Sequence, residues 1–163
     1  MAHEARRELD ALDLLMQDHR ELESLFSEFE YLQRSGEDTA DVIEAACAEL
    51  KIHDTLENEV FYPAVSDAAA DDTMETLLND AEDAHDDVLD LIEQLELVHA
   101  DVAKRHAQFR TIAQQVGKHI LEEETNLFPK LKALDQLDLD AVAAGMKARK
   151  NELMADVAPP AVS

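Results

Sequence analysis

Apolar residues recur along this chain every three or four positions, which is the period of an amphipathic α-helix. The pattern predicts four long helices, at about residues 8–34, 39–62, 72–98 and 102–132, and a fifth, shorter one at about 139–155. Short connections between sequential helices favour antiparallel neighbours. We therefore predict an all-α protein, an up-down-up-down four-helix bundle with an additional C-terminal helix.

The apolar stripe repeats with an offset of 66 residues. In the first helix the stripe consists of Leu12, Leu15, His19, Leu22, Phe26 and Phe29. The corresponding residues of the third helix are Leu78, Ala81, His85, Val88, Ile92 and Leu95. A long repeat that occurs twice indicates two helical hairpins related by a pseudo-twofold axis. We assign the bundle to residues 1–135. Residues 136–163 form a helical extension and tail, which either covers the bundle or joins two subunits into a homodimer.

Two prolines follow the same repeat. Pro63 and Pro129 lie near the ends of the second and fourth predicted helices and are again 66 residues apart. Proline disfavours helical geometry in the residue that precedes it. We therefore expect both helices to end at these prolines.

Composition and charge exclude several classes of protein. A chain of 163 residues suits one domain with a sizeable core. With only three glycines and four prolines, the chain has few residues that favour turns. The net charge of −24 repels phosphate backbones and anionic lipids, so we expect no nucleic-acid partner.

The chain also lacks the features of exported or membrane proteins. No apolar run approaches the roughly 20 residues of a membrane-spanning helix, and the N-terminal segment lacks the apolar core of a signal peptide. The single cysteine, Cys47, cannot form an intrachain disulfide, and we interpret it as a small packing residue in preference to a redox-sensing thiol. We expect a cytoplasmic protein without membrane contact.

Ionisable residues occupy the apolar stripe at repeated positions. They are His19, His53, Glu57, His85, His119 and Glu123. A lone buried carboxylate is costly, so six such residues in one core layer need a common partner. Residues four apart share a helix face, which lets His53 and Glu57 converge on one centre, as do their counterparts in the second half.

We interpret these six residues as metal ligands. Two ions roughly 3.5–4 Å apart, bridged by carboxylates, accommodate six side chains from four helices better than one ion does. We assign His19 and His53 to one ion and His85 and His119 to the other. The two glutamates, Glu57 and Glu123, then bridge the ions.

The chemistry of the donors narrows the choice of metal. Nitrogen and oxygen ligands without thiolate argue against structural zinc and favour iron, with manganese as the alternative. Four imidazole nitrogens and four carboxylate oxygens give four donors per ion. An octahedral ion then has two further positions, for a bridging oxo or hydroxo group and for a small molecule such as dioxygen, peroxide or nitric oxide.

These motifs resemble the haemerythrin-like, or HHE cation-binding, family over about residues 10–132. The similar segments are Asp18-His19-Arg20-Glu21-Leu22, His53-x-x-x-Glu57 with Phe61-Tyr62-Pro63, His85, and His119-x-x-x-Glu123 with Leu127-Phe128-Pro129. The resemblance implies a non-haem di-iron centre in a four-helix bundle. It also implies a role in handling oxygen, reactive oxygen or nitrogen species, or iron itself.

The chain departs from the oxygen-carrying members of that family. Those members have a His-x-x-x-His pair on the third helix, whereas the residue four after His85 is Leu89. They also have His-x-x-x-x-Asp where this chain has His119-x-x-x-Glu123. A missing nitrogen ligand favours reaction with peroxide over reversible storage of dioxygen.

Catalase-like decomposition of hydrogen peroxide is therefore the leading functional prediction. A non-enzymatic protein that binds or senses oxygen, nitric oxide or iron is the alternative, and a metal-free interaction module is a third.

Other polar residues near the motifs are expected to be peripheral. The helical pattern turns Glu59, Glu122 and Glu124 toward solvent. Tyr62 is interpreted as a core packing residue in preference to a hydrogen-bond donor at the metal pocket, because Phe128 holds the equivalent place. The remaining histidines, His3, His99 and His106, fall outside the repeat and are expected to be exposed and functionally silent.

Overall fold

The computed structural model describes residues 8–69, 71–98 and 100–157 and is almost entirely helical over them. Its α-helices are α1 (Ala11–Arg34), α2 (Ala40–Leu56), α3 (Tyr62–Ala68), α4 (Asp72–Leu97), α5 (Val102–Glu122), α6 (Phe128–Lys132) and α7 (Leu139–Val157). Two π-helical segments, Glu57–Phe61 and Glu123–Leu127, join α2 to α3 and α5 to α6. No strand occurs in these described ranges.

The long helices pair as two hairpins. α1 packs along α2, and α4 packs along α5. Short turns join the members of each pair, and the first turn uses Gly36 at a φ of 72°, a left-handed conformation that glycine adopts without strain. Helix N-termini are capped by aspartates: Asp10 accepts a hydrogen bond from the Asp13 amide, Asp71 from that of Met74, and Asp101 from that of Lys104. The predicted all-α bundle is confirmed.

The expectation that helices end at the two prolines is wrong. The chain stays helical through Pro63 to Ala68 and through Pro129 to Lys132. In each π segment the backbone bond spans five residues, as where the Tyr62 N–H donates to the Glu57 carbonyl. Each proline then falls in the first turn of the next α-helix, where its missing N–H costs little.

The six predicted ligands form a buried polar layer, and this layer divides the core into two apolar clusters. One cluster includes Leu12, Leu15, Phe61, Tyr62, Phe128 and Leu131, and the other includes Leu22, Phe29, Ile43, Ile92 and Phe109. Along α1 the polar residue His19 lies between Leu15 of one cluster and Leu22 of the other. Burial of these side chains stabilises the bundle by roughly 1.5–3 kcal/mol for each large one, and it fixes the four helices around the layer.

The C-terminal helix α7 lies on the bundle, against α1, α2 and the first π segment. A Cβ atom at Gly145 would be 3.3 Å from Val60 Cγ1, so the glycine permits a close approach of the two segments. Arg149 Nε lies 2.7 Å from Glu59 Oε2, and Lys150 Nζ lies 3.7 Å from Asp18 Oδ1. Of the two roles predicted for this extension, the packing shows coverage of the bundle, and homodimerisation stays a prediction. None of the described helices has the length and apolar character needed to cross a membrane.

Candidate metal centre

The structure brings all six predicted ligands together in one core layer. Their side chains come from α1 (His19), α2 (His53), α4 (His85), α5 (His119) and the first residues of the two π segments (Glu57 and Glu123). None of these residues is more than 8% exposed. The histidine Nε2 atoms and the carboxylates converge at the centre of the layer.

Ligand atoms form two compact groups. His19, His53 and Glu123 each offer an atom within 4.8 Å of the others, and so do Glu57, His85 and His119. We call these the first and second triads. The histidine pairs in them are the pairs predicted to share an ion.

Each carboxylate contacts histidines of both pairs. Glu57 Oε1 lies 2.9 Å from His53 Nε2 and 3.1 Å from His85 Nε2. Glu123 Oε1 lies 3.2 Å from His19 Nε2 and 3.5 Å from His119 Nε2. Because each glutamate spans both pairs, the geometry suits two bridging carboxylates.

Several buried polar atoms of the layer lack a hydrogen-bond partner of acceptable geometry. They include His19 Nε2, His53 Nε2, Glu57 Oε2 and Glu123 Oε1. An unsatisfied buried group costs about 1–3 kcal/mol, so four in one place need an explanation. All four carry lone pairs and belong to the same buried layer, and a pair of cations would satisfy them together. The residues therefore fit a two-metal centre.

Outer partners orient three of the imidazoles. His19 Nδ1 lies 2.6 Å from Glu124 Oε2, His53 Nδ1 lies 3.2 Å from Asp18 Oδ2, and His85 Nδ1 lies 2.9 Å from Asn58 Oδ1. An Nδ1–H that donates outward leaves the Nε2 lone pair directed inward, as metal-binding histidines require. The Glu124 and Asn58 contacts are 66 residues apart, so the repeat extends to these supporting residues.

The prediction that Glu124 faces solvent is wrong, although Glu59 and Glu122 are exposed as predicted. The Glu124 side chain is 18% exposed and contacts both His19 and Arg20. It lies in the second π segment, where the additional residue in the turn alters the direction of side chains relative to the α-helical pattern. The carboxylate thereby supports a predicted ligand.

Sequence reasoning missed Asp54. This residue is 4% exposed, its Oδ1 lies 3.6 Å from His85 Nε2, and its Oδ2 has no hydrogen-bond partner. It also forms a compact group with His53 and Glu57. Burial raises the pKa of Asp54, against the opposing effect of His85 and His53. The helical period was the available signal, because Asp54 lies four residues after Leu50 and three before Glu57 on the buried face, but the repeat has apolar Ile120 in the equivalent place.

Tyr62 both packs in the core and contacts the centre. Its hydroxyl donates to Glu123 Oε2 over 2.8 Å and lies 3.4 Å from His85 Nε2. The predicted packing role is therefore incomplete. Burial, reinforced by Glu57 and Glu123, raises the pKa of Tyr62 well above its usual value. The phenol keeps its proton and remains a donor to the carboxylate.

Without metal, protons compensate the carboxylates. Burial by itself lowers the pKa of His119, but Glu57 and Glu123 outweigh it and raise the value to about 9. For Glu57, the nearby His53 charge and hydrogen bonds outweigh burial and hold the pKa well below its usual value. Burial and the neighbouring Glu57 raise the pKa of Glu123. Cations bound here would replace the protons that the histidines otherwise carry.

The histidines outside the repeat differ from expectation where they are described. His106 was predicted to be exposed but is partly buried, with Nε2 2.7 Å from Thr39 Oγ1 and its ring edge-on to Phe29. This contact joins α5 to the start of α2 and is separate from the metal layer. His3 and His99 lie outside the described residues.

Comparison with known proteins agrees with this geometry. A family model described as the hemerythrin HHE cation binding domain matches residues 10–131. The matched segment includes all six predicted ligands together with Asp54 and Tyr62. Searches of curated proteins and of solved structures give no significant match. Because the match covers most of the chain, this protein belongs to the hemerythrin HHE cation-binding domain family, whose members bind metal ions, typically iron.

Proposed function

We propose that this chain is a non-haem di-iron protein that decomposes hydrogen peroxide in a catalase-like manner. The observation that carries the proposal is the arrangement of two histidine pairs joined by two carboxylates in one buried layer. His19 and His53 would hold one ion and His85 and His119 the other, with Glu57 and Glu123 as ligands shared between the two pairs. Iron suits this mixture of imidazole and carboxylate and has the redox chemistry that the reaction needs.

The reaction is a disproportionation of two peroxide molecules. One molecule is oxidised to dioxygen and loses two protons and two electrons, and the other accepts them and is reduced to two water molecules. A bound pair of iron ions supplies the two-electron couple. No side chain needs to act as a nucleophile, so the task of the protein is to hold the ions and leave coordination positions free.

The local sequence leaves such positions free. Leu89, four residues after His85, contributes no donor atom, and the six ligands provide eight donor atoms for two ions. Six-coordinate ions would therefore keep positions for small molecules. A seventh side chain, Asp54, lies at the edge of the second triad and contributes a further oxygen if its carboxylate turns toward the ion.

Surrounding residues keep the layer ordered and shield it from bulk water. The Tyr62 hydroxyl holds Glu123 Oε2, which leaves Oε1 directed at the histidines. The Phe128 ring stacks on His19 with centroids 6.0 Å apart, and Phe61 packs against Phe128. These aromatic rings cover the layer on the side of His19.

Oxygen evolution tests the proposal. Hydrogen peroxide is added to the iron-loaded full chain in an oxygen-electrode cell, and we expect one dioxygen for every two peroxide molecules consumed. Glu57→Gln removes a bridging ligand and should abolish turnover. Glu93→Gln changes an exposed glutamate of α4 and should retain it.

Two results would contradict peroxide decomposition. Iron-loaded protein that consumes no peroxide would exclude the enzymatic function. A stable spectral change on exposure to dioxygen or nitric oxide, without turnover, would instead support the non-enzymatic binding or sensing protein.

A further inference from the structure

One cavity leads from the protein surface to the metal layer. It has a volume of about 230 Å³ and lies between α4, α5 and the second π segment. Two of the predicted ligands, His119 and Glu123, form part of its lining. Exposed Asp80, Glu122 and Asn126 line it as well, so it connects solvent with one member of each triad.

The equivalent place in the first half is filled with apolar side chains. Leu15 stands where the second half has Ala81, and Leu14, Leu56 and Val60 replace the polar rim residues Asp80, Glu122 and Asn126. Leu15 is fully buried, and Leu56 is 2% exposed. The two halves of the repeat therefore differ in whether the metal layer can be reached between their helices.

Helix α7 covers that apolar face. Gly145 brings α7 close to Val60, and Met146 of α7 is 2% exposed. A smaller cavity of about 140 Å³ remains beside Leu14, Leu56 and Met146, and its lining includes neither His53 nor Glu57. The cover thus separates His53 and Glu57 from solvent on this side.

We infer that the cavity beside His119 is the entrance to the centre and that α7 closes the symmetry-related entrance. The inference rests on the proposed metal centre but assigns a route that the ligand set alone does not provide. Metal ions and small molecules enter between α4 and α5 and first meet His119 and Glu123. Ala81 is the residue whose small size keeps this route open.

The acidic side chains at the opening of this cavity should affect which small molecules enter it. Asp80 and Glu122 are both acidic, and the lining contains no lysine or arginine. A cleft lined by one sign of charge concentrates ions of the opposite sign and slows those of the same sign. The entrance therefore favours ferrous ion and neutral molecules such as hydrogen peroxide over anions such as azide.

Ala81→Leu tests the route because it places the residue of the closed half in the open one. We expect the metal-free full chain carrying this change to take up ferrous ion at least about tenfold more slowly, with the same final iron content. Ala48→Leu is the matched control, since it adds equal bulk in a surface groove beside Cys47 and Lys51, away from the layer. Uptake by Ala81→Leu at the rate of the unmodified chain would overturn the inference.

A second variant tests the same route without changing the core. Asp80→Asn combined with Glu122→Gln alters only exposed side chains. We expect severalfold slower ferrous uptake and severalfold faster azide binding to the iron-loaded protein at low salt, with both differences shrinking at high salt. Equal rates for both probes would overturn the charge selection.

Iron content separates the two proposals. An unmodified chain that binds no iron would refute the metal centre itself. An unmodified chain that binds two irons, with Ala81→Leu unaltered in rate, would refute only the entrance.

Discussion

The Tyr62 hydroxyl donates a hydrogen bond to Oε2 of Glu123 over 2.8 Å. Tyr62 belongs to the first half of the repeat and Glu123 to the second, so the bond connects the two halves. The counterpart of Tyr62 in the repeat is Phe128, which cannot make such a bond. The carboxylates of Glu57 and Glu123 therefore have different surroundings, although the six predicted ligands obey the repeat.

Tyr62→Phe should weaken the protein without disturbing its packing, because a phenylalanine already occupies the equivalent position. Loss of the bond leaves a buried carboxylate oxygen without its donor, and we expect the free energy of unfolding to fall by about 1–2 kcal/mol. Urea denaturation of the metal-free chain measures the change. Tyr31→Phe, at a position that is 63% exposed, is the control and should have no effect. Equal stability of the Tyr62 variant and the unmodified chain would show that the bond contributes nothing.

Replacement of both bridging glutamates by leucine separates a metal centre from a merely polar core. The double variant Glu57→Leu/Glu123→Leu removes two buried ionisable groups, so the metal-free bundle should be as stable as before or more stable. It should also lose the rise in melting temperature that ferrous ion gives the unmodified chain. Thermal unfolding with and without ferrous ion gives both quantities. A melting temperature that still rises with iron in the double variant would argue against these ligands.

Stability of the metal-free protein should depend on pH in a defined direction. The pKa values of His53 and His85 are raised because Glu57 outweighs the effect of burial, and that of His119 is raised to about 9. A raised pKa means that the folded state keeps a proton that the unfolded state releases near its usual value of about 6.5. The stabilisation is complete below that pH and is lost as the pH rises toward 9.

We therefore expect the free energy of unfolding to fall between about pH 6.5 and pH 9, by on the order of 3 kcal/mol from His119 alone. Denaturant titrations in the presence of a chelator measure the fall. The iron-loaded chain should not show it, because metal binding requires neutral imidazoles. A metal-free stability that is constant or rises across this interval would contradict the charge arrangement.

Cys47 should be a poor nucleophile in the folded protein. Burial raises the pKa of its thiol to about 11, and the thiolate is the form that reacts. At pH 8 we expect iodoacetamide to modify the native chain about 100-fold more slowly than the urea-unfolded chain. Mass spectrometry over time measures both rates. Similar rates would contradict the packing role and favour a redox-sensing thiol.

The buried polar layer could be predicted from sequence because helical periodicity fixes which residues share a face. His19 follows Leu15 by four residues and precedes Leu22 by three, so its place among buried residues requires no tertiary information. The repeat then supplied the corresponding residues of the second half. Helix pairing followed from the short connections between helices.

The π segments could not be predicted from that periodicity. The rule for the residue before proline predicts an end to the helix at Pro63, whereas a single wider turn places the proline at the start of a new α-helix. The same change of register brings Glu124 to His19. Asp54 illustrates a different limit, because its contact with His85 depends on how α2 packs against α4.

Metal content of the full chain, purified without added metal and measured by elemental analysis beside its ultraviolet-visible spectrum, tests the central claim most directly. Two irons per chain are predicted, with a spectrum that changes on addition of hydrogen peroxide. Glu57→Gln, purified in the same way, should contain less iron. Protein that contains only zinc, or no metal even after incubation with ferrous ion, would contradict the di-iron centre.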